Sequence, residues 1–319
     1  MLNLLLLLTG FIPLIYGADL LVENASALAK KLDIPNIVIG LTIVAFGTSA
    51  PELTINIFAS LHGNNDIVLG NIVGSNIFNI LGIVGIAAII YPLAVKPKTT
   101  WIEIPLCLLS AVVVFVISGD GFIDGDKVSI IKKTDGIILL LFFLIFLGYN
   151  IQFMLSSSYE EQAPVKKQRS AAISVIFIII GLVLLVAGGK IIVLFAVKFA
   201  QQIGISERII ALTIVSIGTS LPELATSVIA AKKKNIDIAI GNIVGSNIFN
   251  AFFILGISAI IHPVLVHEKS FFDLCVNLAA SFLLFLFIFT GKGRKIDRLE
   301  GIIFVILYIG YILVLFRLS

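Results

Sequence analysis

The chain has 319 residues, 59% of them hydrophobic and only 13% charged, with a mean hydropathy of +1.14 and a formal net charge of +3. Soluble domains carry about 25% charged residues, so this composition excludes a soluble enzyme and fits a polytopic membrane protein. The small positive charge gives no sign of a nucleic-acid partner, because membrane orientation accounts for where the basic residues sit.

A membrane-spanning helix needs about 20 apolar residues. Such stretches run over 1–22, 35–61, 67–91, 101–118 and 135–154, and again over 171–197, 206–231, 238–262, 270–290 and 300–317. The expectation is an all-α polytopic fold of ten transmembrane helices. The first stretch has the apolar run and small residues of a leader peptide, but it lacks a basic start and is expected to remain as a mature helix. The longest polar run, 156–170, holds Glu160, Glu161, Lys166, Lys167 and Arg169. It divides the chain into a five-helix unit at 1–155, a cytoplasmic linker at 156–170 and a second five-helix unit at 171–319. No other loop is long enough for a soluble catalytic or regulatory domain. Cys107 and Cys275 both fall inside predicted helices, where packing is their expected role. With both termini outside, inward loops collect 14 basic residues and outward ones 7, the bias expected of a protein in the cell membrane.

The two units share an internal repeat. Adding 171 to each number from 38 to 79 gives 25 identities in 42 gapless pairs. They include Gly47-Thr48-Ser49 with Gly218-Thr219-Ser220, Pro51-Glu52 with Pro222-Glu223, and all ten residues of Gly70–Asn79 with Gly241–Asn250. Lipid-facing positions accept any large hydrophobe, so identity concentrated in Gly, Pro, Ser, Thr, Asn and Glu marks positions whose backbone or oxygen chemistry is used. Five is an odd number of crossings, so the second unit enters the membrane from the opposite side and the repeats are inverted. Inverted repeats with interrupted helices at matching places point to a midplane transport site and alternating access.

A glutamate in hydrocarbon is costly and is tolerated mainly where it faces a cavity and binds something. Glu52 has no basic residue in its own segment and Glu223 only Arg208, 15 positions earlier at the segment's start, and together the two glutamates suit a doubly charged cation. Pro51 and Pro222 lack an N–H, which frees the carbonyls of Gly47 and Gly218 and predicts a kink. On such a kinked helix Thr48 and Glu52, four apart, share a face, as do Thr219 and Glu223, with Ser49 and Ser220 beside them. Ser75 with Asn79 and Ser246 with Asn250 repeat that spacing in the following helices. Every donor is oxygen, which suits Ca2+, whereas transition metals call for the His and Cys that these segments lack. Close helix packing competes for Gly70, Gly74, Gly241 and Gly245, and interhelical hydrogen bonding competes for Asn71, Asn76, Asn242 and Asn247. Asp19 and Lys190 occupy equivalent positions and read as side chains reaching opposite interfaces. Glu103 and Asp273 read as interfacial groups near helix starts.

These motifs resemble the sodium/calcium exchanger family of the cation/Ca2+ antiporter group, whose two repeats carry Gly-Thr-Ser-x-Pro-Glu and Gly-Ser-Asn elements. The resemblance implies that Glu52 and Glu223 bind Ca2+ and Na+, with carbonyls from Thr48, Thr219, Ala45 and Ser216. It also implies Na+ contacts from Ser49, Ser220, Ser75 and Ser246, with Asn79 and Asn250 facing the centre, and sliding of the first and sixth helices to switch access. Relatives that co-transport K+ tend to have Asp where Asn250 stands, so Asn at both positions leans toward K+-independent exchange. The expected function is Na+/Ca2+ antiport, with Ca2+/H+ antiport as the alternative. The expected substrates are Ca2+ and Na+, without a cofactor or an obligate protein partner. A hydrolase would need a catalytic set within the membrane that these segments do not contain.

Overall fold

A computed structural model of the protein describes residues 2–120, 128–156, 170–202, 216–290 and 293–318. In chain order its helices are α1 (Leu2–Leu32), α2 (Asn36–Thr48), α3 (Ala50–Leu61), α4 (Asn65–Ile90), α5 (Thr99–Ile117) and α6 (Lys133–Ser156). The second half holds α7 (Ala171–Gln202), α8 (Ser216–Thr219), α9 (Leu221–Lys232), α10 (Ile236–Ile261), α11 (Ser270–Thr290) and α12 (Arg298–Leu318). Among the described residues eight helices are long and apolar enough to cross a membrane. The α2/α3 pair, bent by 48°, makes a ninth span. The expected seventh helix, 206–231, is described only from Ser216 onward, and the 157–169 portion of the linker lies outside the described residues.

Local sequence explains the ends of these helices. Asn64 and Asn235, 171 residues apart, accept hydrogen bonds at 3.4 and 3.3 Å from the main-chain N–H of Ile67 and Ile238, capping α4 and α10 at equivalent positions. The preceding turns place Gly63 at φ 66° and Lys234 at φ 60°, so the second repeat holds a lysine in a left-handed conformation that glycine adopts freely. Short strands were not foreseen. β1 (Leu93–Ala94) pairs with β4 (Lys295–Ile296), and β2 (Ser129–Ile131) with β3 (Val264–Val266), both antiparallel. Each ladder joins a loop of one half to a loop of the other.

The helices α1 and α7 are longer than the apolar stretches predict, at 31 and 32 residues. They run antiparallel, with Gly10 against Gly188 and Gly17 against Gly181. A Cβ on Gly17 would meet the Gly181 carbonyl oxygen at 2.7 Å, and one on Gly181 would meet the Gly17 oxygen at 2.9 Å. Only glycine permits so close an approach along the pair. The pairs 10/188 and 17/181 also exchange under the 171-residue offset, which is the signature of a two-fold axis in the membrane plane and hence of inverted repeats. At the centre, α4 and α10 are the most buried spans, while α6, α7 and α12 expose large apolar side chains such as Ile145, Val183 and Ile306 to lipid.

Candidate functional site

The motif expected to kink one helix breaks it instead. Ser49 (φ −82°, ψ 9°) and Ser220 (φ −90°, ψ 10°) leave the helical conformation, and Pro51 and Pro222 sit in the first turns of α3 and α9, where a missing N–H costs nothing. Thr48 therefore closes α2, and Glu52 lies in the first turn of α3. The expectation that Thr48 and Glu52 share one continuous helical face is corrected by this break. A half-helix C-terminus offers carbonyl oxygens to a cation and the next half-helix N-terminus favours a carboxylate, so the break assembles both kinds of group at one depth.

Glu52 and Glu223 are each 1% exposed, and each is held by the opposite repeat. Ser220 Oγ donates to Glu52 Oε1 at 2.9 Å, and Ser49 Oγ donates to Glu223 Oε1 at 2.8 Å. From the adjoining long helices Ser75 and Ser246 reach the same two oxygens at 3.5 Å each. Ser49 Oγ also lies 3.0 Å from Ser246 Oγ, which in turn is 3.5 Å from the Ala45 carbonyl oxygen. Thr48 Oγ1 donates to Asn242 Oδ1 at 3.0 Å, and Asn71 Nδ2 donates to Thr219 Oγ1 at 3.3 Å. The Ser220–Glu52 and Ser49–Glu223 bonds are two-fold mates, and the Thr48–Asn242 and Asn71–Thr219 pairs join two-fold-related residues. Ala45, Thr48 and Thr219 are buried, and Ser216 opens α8.

Besides Asn56 Oδ1, four buried oxygens in this cluster have no hydrogen-bond partner among the described residues and fall on two-fold-related residues: Glu52 Oε2, Glu223 Oε2, Asn79 Oδ1 and Asn250 Oδ1. Buried polar atoms are normally satisfied, and four orphans of one chemical type, on two-fold-related residues, form an acceptor set matched to a hard cation. Asn79 and Asn250 sit in π-helical stretches, Phe78–Val84 and Phe249–Ile254, the wide turns that recur at functional sites. Asn71 and Asn242 serve interhelical hydrogen bonding, as do Asn76 and Asn247. Sequence reasoning missed Asn56 and Ser227, which stand four residues after the glutamates. Asn56 Nδ2 bonds the Glu52 carbonyl at 2.8 Å and Asn71 Oδ1 at 2.7 Å, and Ser227 Oγ accepts from Asn242 Nδ2 at 2.9 Å. The i,i+4 spacing from each glutamate was the available signal.

Several other charged groups have neighbours that local sequence does not display. Asp19 pairs with Lys233 at 2.7 Å, tying α1 to the end of α9. Its equivalent Lys190 instead lines a cavity of about 340 Å³ beside Pro51, Gly189, Gly218, Thr219 and Pro222, which borders the break between α8 and α9. Glu103, near the start of α5, is fully buried and accepts a hydrogen bond from the Tyr149 hydroxyl. Asp273 is matched to Tyr311 at 2.9 Å. Both cysteines are free, with Cys107 buried and Cys275 exposed.

Comparison with known proteins places this geometry in context. The family model described as sodium/calcium exchanger protein matches residues 2–152 and 173–317. The chain is 35% identical to the sodium/calcium exchanger MaX1 of Methanosarcina acetivorans over 349 aligned positions, covering 98% of each chain. It is 38% identical to the inner membrane protein YrbG of Escherichia coli K12 over 266 positions, covering 81% of this chain and 79% of that one. A solved structure of the sodium-calcium exchanger NCX_Mj, soaked with zero Na+ and Ca2+, is similar to it with a TM-score of 0.83 at 33% identity, covering 98% of this chain and 99% of that one.

Proposed function

This chain belongs to the sodium/calcium exchanger family and is an integral membrane cation/Ca2+ antiporter, and on that premise we propose that it exchanges Na+ for Ca2+ by alternating access, independently of K+. The observation that carries the reading is the two-fold set of orphaned oxygens on Glu52, Glu223, Asn79 and Asn250. Ca2+ takes six to eight oxygen ligands. The two carboxylates would supply its charge balance, and the carbonyls of Ala45, Thr48, Ser216 and Thr219 would complete the shell. When Na+ replaces Ca2+, the hydroxyls of Ser49, Ser220, Ser75 and Ser246 join the same carboxylates, so the two ions compete for one set of groups and their fluxes couple.

The empty pair of buried carboxylates has no basic partner among the described residues and repels itself, which disfavours reorientation without cargo. That supports exchange over leak. Because Ser49 serves Glu223 and Ser220 serves Glu52, loading the site engages both halves together, and α1 and α7 are the elements able to slide across their glycine contact. The two units would be 1–155 and 171–319, joined by a cytoplasmic linker at 156–170, with both termini outside the cell membrane. In vesicles, Glu52→Gln and Glu223→Gln should each abolish Na+-driven uptake of radioactive Ca2+ while the protein still folds. Uptake at the unsubstituted rate in both variants overturns the site.

A further inference from the structure

Between α4 and α10 four amides form one hydrogen-bonded chain, in the order Asn250, Asn76, Asn247, Asn79, with Asn76 and Asn79 from one repeat and Asn247 and Asn250 from the other. Asn76 and Asn247 stand outside the ligand set given above, yet the polarity of the hydrogen-bonded chain starts with them. A main-chain carbonyl only accepts a hydrogen bond. The atom of Asn76 that meets the Asn247 carbonyl oxygen at 3.3 Å is therefore Nδ2, and the same rule fixes Asn247 Nδ2 on the Asn76 carbonyl oxygen at 3.3 Å. With both nitrogens committed to backbone, each Oδ1 faces the other way and needs a donor. Asn250 Nδ2 supplies Asn76 Oδ1 at 3.1 Å, and Asn79 Nδ2 supplies Asn247 Oδ1 at 2.9 Å. At the two ends of the hydrogen-bonded chain are the orphaned carbonyl oxygens Asn79 Oδ1 and Asn250 Oδ1, on residues 1% exposed.

We infer that Asn76 and Asn247 are positioning residues, which use the backbone carbonyl of the opposite helix as a reference to turn the amides of Asn250 and Asn79 oxygen-inward, toward the transported cation. Flipping either amide would present an NH2 group to the cation and set two oxygens against each other in the hydrogen-bonded chain, so each orientation is specified twice. The arrangement also makes position 250 a specificity point, because Asn76 Oδ1 requires a donor there and a carboxylate has none. This inference rests on the reading of Asn79 and Asn250 as ion-facing groups.

The test is a double-mutant cycle on the Ca2+ concentration for half-maximal Na+-driven uptake. Asn247→Leu removes the acceptor that holds Asn79, and it should raise that concentration about tenfold or more, as loss of a ligand-orienting partner does at metal sites. In an Asn79→Ala background the same substitution should change it less than about twofold, since the oxygen it orients is already gone. A full effect in both backgrounds means that Asn247 acts by packing alone and overturns the inference. If Asn79→Ala leaves Ca2+ affinity unchanged while Glu52→Gln still abolishes uptake, the carboxylate site stands and both the ion-facing role of Asn79 and the relay fall. The mirror cycle, Asn76→Leu with Asn250→Ala, must give the same pattern, and Asn247→Thr replaces Asn247→Leu if the leucine variant does not fold.

Discussion

Replacing Gly245 with alanine should impair transport through a helix contact, without removing any proposed ligand. A Cβ at position 245 would lie 2.6 Å from the Leu41 carbonyl oxygen and 2.8 Å from both Leu41 Cα and Ala45 Cβ. Two of these three neighbours are backbone atoms, which no rotamer change moves aside. Restoring an ordinary contact of 3.4 Å requires α10 and α2 to separate by 0.8 Å, the difference between 3.4 and 2.6. Overpacking of this kind costs about 1–3 kcal/mol of stability. The shift falls on the site itself, because Ser246 follows Gly245 and its Oγ sits 3.0 Å from Ser49 Oγ and 3.5 Å from the Ala45 carbonyl oxygen. A displacement near 1 Å at a positioned group costs on the order of 100-fold in rate, so Na+-driven Ca2+ uptake should fall at least tenfold, with a lower midpoint of thermal unfolding in detergent. The control is Gly310→Ala on the exposed side of α12, where an added Cβ meets no described atom within 4 Å. That variant should keep its uptake and gain up to about 1 kcal/mol of stability. If Gly245→Ala matches Gly310→Ala in both assays, the close approach of α10 to α2 is refuted.

Ser49→Ala and Ser220→Ala should weaken Ca2+ affinity by similar factors of about tenfold or more, since each removes one hydrogen bond to a charged group across the two-fold axis. Initial uptake rates against Ca2+ concentration would check the match, and a large effect from only one serine contradicts the reciprocal geometry. Tyr149→Phe removes the donor that the fully buried Glu103 accepts from and should cost about 1–3 kcal/mol of stability. Thermal unfolding should register that loss while Ca2+ affinity stays unchanged. Asn250→Asp adds a carboxylate to the centre and should make uptake responsive to K+, seen by comparing uptake with and without K+ in the medium. Indifference to K+ in that variant removes position 250 as the determinant of K+ use.

Much of the candidate site was legible in the chain because duplication filters it. Twenty-five identities in the 42 pairs from 38 to 79 single out oxygen-bearing and backbone-critical residues against a background in which any hydrophobe serves. The glutamates, the flanking serines and the two central asparagines could be named on that basis. What the chain did not display is which repeat serves which. Spacing relates Thr48 to Glu52 within one segment, but the break at Ser49 turns Thr48 toward Asn242 and gives Glu52 to Ser220. Such pairings depend on how two inverted units interlock, a long-range property that local periodicity does not carry. The same holds for Asp19, whose partner is Lys233 and not its repeat-equivalent Lys190. The burial of Glu103 was hidden for a related reason, because the tyrosine that accompanies it is 46 residues away in sequence. The approximate bounds of the nine spans among the described residues came through well, since about 20 apolar residues are needed to span, whereas the π-helical turns at Asn79 and Asn250 and the short strand ladders have no comparable signal.

Coupling of Ca2+ movement to Na+ is tested most directly with purified protein in sealed vesicles loaded with Na+ and diluted into Na+-free medium containing radioactive Ca2+. Parallel vesicles carry K+ alone or an imposed proton gradient. Uptake should occur from Na+-loaded vesicles, collapse when the Na+ gradient is dissipated, and stay at background in the K+ and proton arms. Equal uptake driven by the proton gradient without Na+ would contradict Na+ coupling and replace it with Ca2+/H+ exchange at the same carboxylates.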